Sequence, residues 1–174
     1  YAYEHSIVIN GVSKAYAMTG WRVGYAAGSA DCMKALTGLI GHMTSSANTI
    51  AQYAALEALT GPQESVSAMC AQFHERRDYL LERLSRLPGV QCSQAQGAFY
   101  LFPDVHALFG RSIGGRTIKS SLGLSEVILE KALVGTIPGI AFSAPAHIRL
   151  SYANSMSNIE KAMDRIEQLL RTAE

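Results

Sequence analysis

NGVSKAYAMTGWRVGY, residues 10–25, places one lysine and one arginine eight residues apart at the joints of two runs with strand character. The first run, SIVI at residues 6–9, is apolar and β-branched, as a buried strand requires, and Asn10-Gly11 ends it with turn chemistry. Lys14 therefore falls in a loop at a strand end. Thr19-Gly20 breaks the chain again, and residues 21–26 read as a second strand with Arg22 at its mouth. Gly24 and Gly28 allow the backbone to come close there. Two cationic groups thus emerge near one edge of a sheet. A lysine acts as a Schiff-base nucleophile once neighbours or desolvation lower its pKa, and an arginine offers a planar fork that grips a phosphate dianion. Together they describe an anchor for pyridoxal phosphate. A loop lysine seen alone is an ordinary solvated charge, so the assignment rests on the whole string.

That string closely resembles the cofactor-lysine segment of the class I and II aminotransferases, the aspartate aminotransferase family of fold type I. The family signature is SK, a short loop, G, then WRxGY. The resemblance implies that Lys14 forms the internal aldimine with pyridoxal 5'-phosphate and that Arg22 binds the cofactor phosphate. The resemblance also implies that Ser13 assists there by hydrogen bonding, although many relatives carry the phosphate-binding serine three residues before the lysine, where this chain departs from the pattern with Gly11. A second resemblance lies in HIRLSYA, residues 147–153, which is similar to the family strand whose arginine pairs with the substrate α-carboxylate. Arg149 is that residue. A bidentate guanidinium on a rigid strand fixes a planar carboxylate in position and angle. TIAQYAALEAL at 49–59, GAFYLFP at 97–103 and VGTIPGIAF at 134–142 follow the family in the same order, so the resemblance runs from Ser6 nearly to the end.

Composition fits a soluble α/β piece of such an enzyme. The chain has 174 residues, 48% hydrophobic and 17% charged, with a net charge of +1. A chain of this length buries roughly 70% of its unfolded surface in one or two compact units. Basic residues are scattered rather than striped, which argues against nucleic acid as a partner. No apolar run approaches the roughly 20 residues of a membrane span, and no signal peptide opens the sequence. Cys32, Cys70 and Cys92 are odd in number and far apart, and read as free thiols that pack in a reducing, cytoplasmic compartment. The five histidines show no metal-ligand spacing, so no metal is expected.

Helices are expected at 30–43, at 48–59 with Asn48 as cap, and at 63–87, the last stopped by Pro88-Gly89. Val66, Met69, Phe73, Leu80, Leu84 and Leu87 form its apolar face, and Arg76, Arg77, Arg83 and Arg86 read as a solvated one. Strands follow at 90–93 and 98–102 with a bend at Gly97. Residues 107–120 are glycine-rich and basic, and read as mobile surface or as a cover for an active site. A helix at 122–133, strands at 135–137 and 148–152, and a final helix capped by Ser157 and Glu160 complete the pattern. By resemblance, residues 1–60 are a remnant of the large cofactor-binding domain with two strands, 61–88 the domain-linking helix, and 89–174 the small C-terminal α/β domain.

The family draws its pyridine-nitrogen aspartate, its ring-stacking aromatic and the partners of the cofactor hydroxyl from positions well before the lysine. Only 13 residues stand there, and Tyr1 and Tyr3 lie too near Lys14 to replace the family tyrosine. The absence of an initiator methionine fits a truncated or processed piece. Two functions of different class follow. The chain is the C-terminal part of a homodimeric aminotransferase that passes an amino group from an aspartate-type or aromatic amino acid to a 2-oxo acid. Alternatively it is a non-catalytic fragment or association domain of that ancestry. Lyases and synthases share the same lysine and arginines.

Overall fold

The structure is a computed structural model that describes residues 3–171. The chain divides into two compact units, one through Met69 and one from Cys70 onward.

In the first unit, β1 (Val8–Gly11) pairs antiparallel with β2 (Gly24–Ala27), with Asn10 opposite Tyr25 and Gly11 opposite Gly24. α1 (Ala30–Met43) and α2 (Thr49–Thr60) follow. The side chain of Asn48 caps α2 by accepting from the Ala51 N–H at 3.2 Å. The strand expected at residues 6–9 is present two residues later, but it is not buried, since Val8 is 58% and Ile9 81% exposed. Two strands make no core of their own, and both faces of this pair lie open. The strand expected at 21–26 also starts late. Thr19–Trp21 winds as a 3-10 turn, and Arg22 ends it in the left-handed region at φ 53 and ψ 47.

α3 (Glu64–Ser85) begins in the first unit and continues into the second. The second unit then adds β3 (Tyr100–Leu101), β4 (Ser112–Ile113), β5 (Arg116–Thr117) and α4 (Ser121–Val127). One π-turn, Ile128–Ala132, prolongs α4, and β6 (Ile137–Pro138), β7 (Ile148–Ser151) and α5 (Met156–Leu170) complete the unit. β7 is central in the antiparallel order β3-β7-β6. Side-chain alternation gives this sheet two different faces. Leu101, Ile148 and Leu150 point into a core with Leu80, Leu84 and Val127 from the helices and Ile159, Met163 and Ile166 from α5. Tyr100, Arg149 and Ser151 belong to the other face by register.

Four expectations are corrected here. Residues 90–93 make no ladder. Gln91 and Asp104 exchange a single pair of hydrogen bonds at 3.0 and 2.7 Å, and the pairing stops there. Residues 107–120 are an ordered hairpin rather than mobile surface. Gly114 and Gly115 take φ 58 and 80, the two positive values that a tight two-residue turn demands, and Ile113 and Ile118 beside it are wholly buried. Arg116 pairs with Glu126 and Glu130. The basic face of α3 is only partly solvated, because Arg83, 13% exposed, binds Glu167 at 2.6 Å and Asp164 at 2.7 Å and touches Tyr79. Those bonds hold its guanidinium in the charged form, above the ordinary arginine range. Finally, α5 is capped by Ser155, whose Oγ accepts from the Asn158 N–H at 3.2 Å, and not by Ser157. Met156 already has helical backbone, so Ser157 lies inside the first turn.

Candidate active site

Lys14 and Arg22 come together in the first unit because the 12-residue segment from Val12 to Val23 leaves one strand and returns to its neighbour. Val12, 1% exposed, anchors the start of this loop. The Tyr16 N–H donates to the Val12 carbonyl at 3.3 Å and the Met18 N–H to the Ser13 carbonyl at 3.1 Å, winding Ser13 and Lys14 into a turn. Arg22 Nη1 donates to the Thr19 carbonyl at 3.0 Å, which ties one corner of its guanidinium to the 3-10 turn and leaves its other N–H groups to face the cleft. The Tyr16 hydroxyl lies 3.4 Å from Gln63 Oε1, at the start of α3.

Lys14, Ser13 and Arg22 line a single cleft of about 530 Å³ with Asn10, Gly11 and Gly24. Two glycines make its floor. A Cβ on Gly11 would stand 3.1 Å from the Gly24 Cα, and one on Gly24 would stand 3.1 Å from the Asn10 carbonyl, so the strands approach there only because both side chains are absent. Asn10 turns its Oδ1 back to accept from the Gly11 N–H at 2.7 Å. Among the described residues no carboxylate lines the cleft. One amine, one guanidinium and a small hydroxyl in one cleft make a site for an anion, and an amine next to it suits a carbonyl carbon. These residues fit the phosphate and aldehyde ends of pyridoxal phosphate. Tyr1 lies outside the described residues.

Arg149 belongs to the second unit, on the central strand β7. Its guanidinium carbon stands 5.0 Å over the Tyr100 ring and 4.7 Å over the Phe142 ring. Its backbone pairs with Ile137 of β6, while its guanidinium forms no hydrogen bond or ion pair with another described residue. A half-buried guanidinium without an acceptor is suited to an anion from outside. Tyr100 and Phe142 carried no role in the sequence reading. GAFYLFP and VGTIPGIAF contain them, but their contact with Arg149 depends on strand pairing and could not be read from either string.

Two of the three cysteines, Cys32 and Cys70, are exposed rather than packed; Cys92 is half-buried. Among the described residues no group of three or more His, Cys, Asp or Glu is placed to hold a metal ion. No described helix is long and apolar enough to cross a membrane.

The sequence matches the family model for aminotransferase class I and II over residues 2–166. The chain belongs to this family. It is 44% identical over 165 residues to the aspartate aminotransferase of Geobacillus stearothermophilus, covering 95% of this chain and 41% of that protein. It is 42% identical over 166 residues to a probable aspartate/prephenate aminotransferase of Rickettsia felis, again with 95% and 41% covered. Among solved structures, the aspartate aminotransferase of Rhizobium meliloti superposes with a TM-score of 0.95 at 35% identity, covering 99% of this chain and 43% of that one. An aromatic aminotransferase from Pyrococcus horikoshii gives 0.87 at 32% identity, covering 97% and 44%. This family member thus spans about two-fifths of the length of the relatives it matches, and its α/β architecture is a partial fold type I structure.

Proposed function

We propose that this chain carries the cofactor lysine and the carboxylate-binding arginine of a pyridoxal-phosphate-dependent aminotransferase. The observation that carries the reading is the cleft that Lys14 and Arg22 share with Ser13. Lys14 would hold the cofactor aldehyde through its amine, Arg22 the phosphate through its guanidinium, and Ser13 would add one hydroxyl donor. Pyridoxal phosphate, when bound, supplies an electron sink for bond breaking at an amino acid's α-carbon. Lys14 Nζ would then be the group placed to take the proton from the substrate Cα as general base. Arg149 receives the substrate α-carboxylate through its fork, and orienting a substrate in this way is a large part of an enzymatic rate. Relatives named for aspartate, aspartate/prephenate and aromatic amino acids support an acidic or aromatic amino acid as donor and a 2-oxo acid as acceptor. By the same resemblance the complete enzyme is a cytoplasmic homodimer, and this chain is its C-terminal part.

A second reading concerns the isolated polypeptide. Both faces of its β1-β2 pair are open, and it spans 41% of its relatives, which favours a chain that turns nothing over alone. Trapping with pyridoxal phosphate separates cofactor capture from turnover. After borohydride reduction, intact mass and peptide mapping should show one pyridoxyl adduct on Lys14 that Lys14→Ala abolishes. Label spread over several lysines, or unchanged in Lys14→Ala, would remove Lys14 from its role.

A further inference from the structure

Arg149 is held by ring faces alone. Tyr100 comes from β3 on one side of β7, and Phe142 from the 3-10 turn that follows β6 on the other side. Each ring is itself braced by a second ring. Tyr100 meets Phe99 edge-on at 5.3 Å, and Phe142 meets Phe102 edge-on at 5.9 Å. Phe102 in turn stacks on His147 at 4.9 Å and 19°. Five aromatic groups on three neighbouring segments therefore set the pose of one guanidinium, and no described carboxylate of this unit pairs with it.

An arginine fork by itself binds carboxylate and phosphate alike, because both offer two oxygens at suitable spacing. The rings change that choice. All five N–H donors lie in the guanidinium plane, so an anion that bonds them in that plane avoids the rings. A carboxylate is flat and does so. A tetrahedral phosphate carries further oxygens above and below the plane, where a ring covers the cation. We infer that Tyr100 and Phe142 are positioning residues that make Arg149 selective for a planar carboxylate over a tetrahedral oxyanion. This rests on the reading of Arg149 as the carboxylate receptor.

Tyr100 is 36% and Phe142 45% exposed, so truncating either ring leaves the buried core in place. The test uses the whole 174-residue chain labelled with 15N-arginine and 13C-methyl groups. The Arg149 Nε–H resonance, assigned with Arg149→Lys, is followed through titrations with pyruvate and with inorganic phosphate. The unmodified chain should bind pyruvate at least tenfold tighter than phosphate. Tyr100→Leu and Phe142→Leu should each strengthen phosphate binding about fivefold, because one face of the cation is uncovered for the out-of-plane oxygens, with pyruvate binding changed less, so that the preference narrows. Tyr100→Phe and Phe142→Tyr should restore the preference, a rescue that a purely structural effect would not show. Unchanged Leu101 and Ile113 methyl signals confirm that the core is intact. Equal affinity for the two anions in the unmodified chain, a result independent of any variant, overturns the inference. Leucine variants that bind as the unmodified chain does overturn it too, while leaving Arg149 as the receptor. An Arg149 resonance that pyruvate does not move removes Arg149 from the proposed function altogether.

Discussion

Arg22 sits at φ 53, a region that costs a residue with a side chain about 1–2 kcal/mol relative to right-handed backbone. Glycine would take that turn without the cost but would bring no guanidinium to the cleft. Backbone preference and side-chain chemistry pull apart here, and such conflicts gather at functional sites. Cys92 illustrates the opposite case, a residue whose environment quiets it. Burial pushes its thiol up, with a hydrogen bond from the Phe102 backbone opposing in part. The folded state therefore favours the neutral thiol. The stability this gives is fully present below the ordinary thiol pKa near ~8.5 and is lost as pH rises through the higher folded value. Iodoacetamide at pH 8 should accordingly modify the exposed Cys32 and Cys70 at least tenfold faster than Cys92. Mass mapping of partial labelling reads this directly, and equal rates would show that Cys92 is neither shielded nor shifted.

Elements with strong local signals were legible from the sequence, and elements defined by their partners were not. Residues 30–43 form α1 as expected, and Asn48 caps α2 as its side chain suggests, because caps and helical periodicity act within a few residues. Residues 90–93 form only the bridge at Gln91 rather than a strand, because a short local pattern does not say how long a partner stays in register. Residues 107–120 looked mobile from glycine and charge, yet the two glycines make the turn and Ile113 and Ile118 hold it to the core. For α5 the helix itself was expected, whereas the choice between two nearby serines as cap depended on backbone angles. Ser155 has the extended backbone of a cap at φ −66 and ψ 151. Ser155→Ala should therefore cost about 1 kcal/mol of the second unit's stability, and Ser157→Ala only a few tenths. Urea melts of the two variants, followed by circular dichroism, decide between them, and a larger loss in Ser157→Ala would return the cap to Ser157.

At the scale of the whole molecule, the two units differ in how much apolar surface each encloses. Among the described residues the first unit buries three apolar side chains, Val12, Ala51 and Ala55, against eighteen in the core of the second. It leaves Ile7, Val8, Ile9, Ile50, Tyr53 and Leu56 exposed, so the cleft of Lys14 and Arg22 stands on the less stable part of this chain. The family signature could be read from local sequence because the lysine loop is chemically distinctive. The thin packing beneath it could not, since exposure depends on what else covers the strands. Trp21, the only tryptophan, lies in that unit and is 46% exposed, which makes its fluorescence a local probe. In urea, Trp21 fluorescence should change at a lower midpoint than hydrogen-exchange protection at Ile113 and Ile118, whose side chains are wholly buried. Saturating pyridoxal phosphate should raise the Trp21 midpoint and leave the second unit's midpoint unchanged, because a ligand stabilises the part that binds it. Coincident midpoints, unmoved by pyridoxal phosphate, would show that the first unit draws its stability from more than its own small core and that its cleft does not take the cofactor.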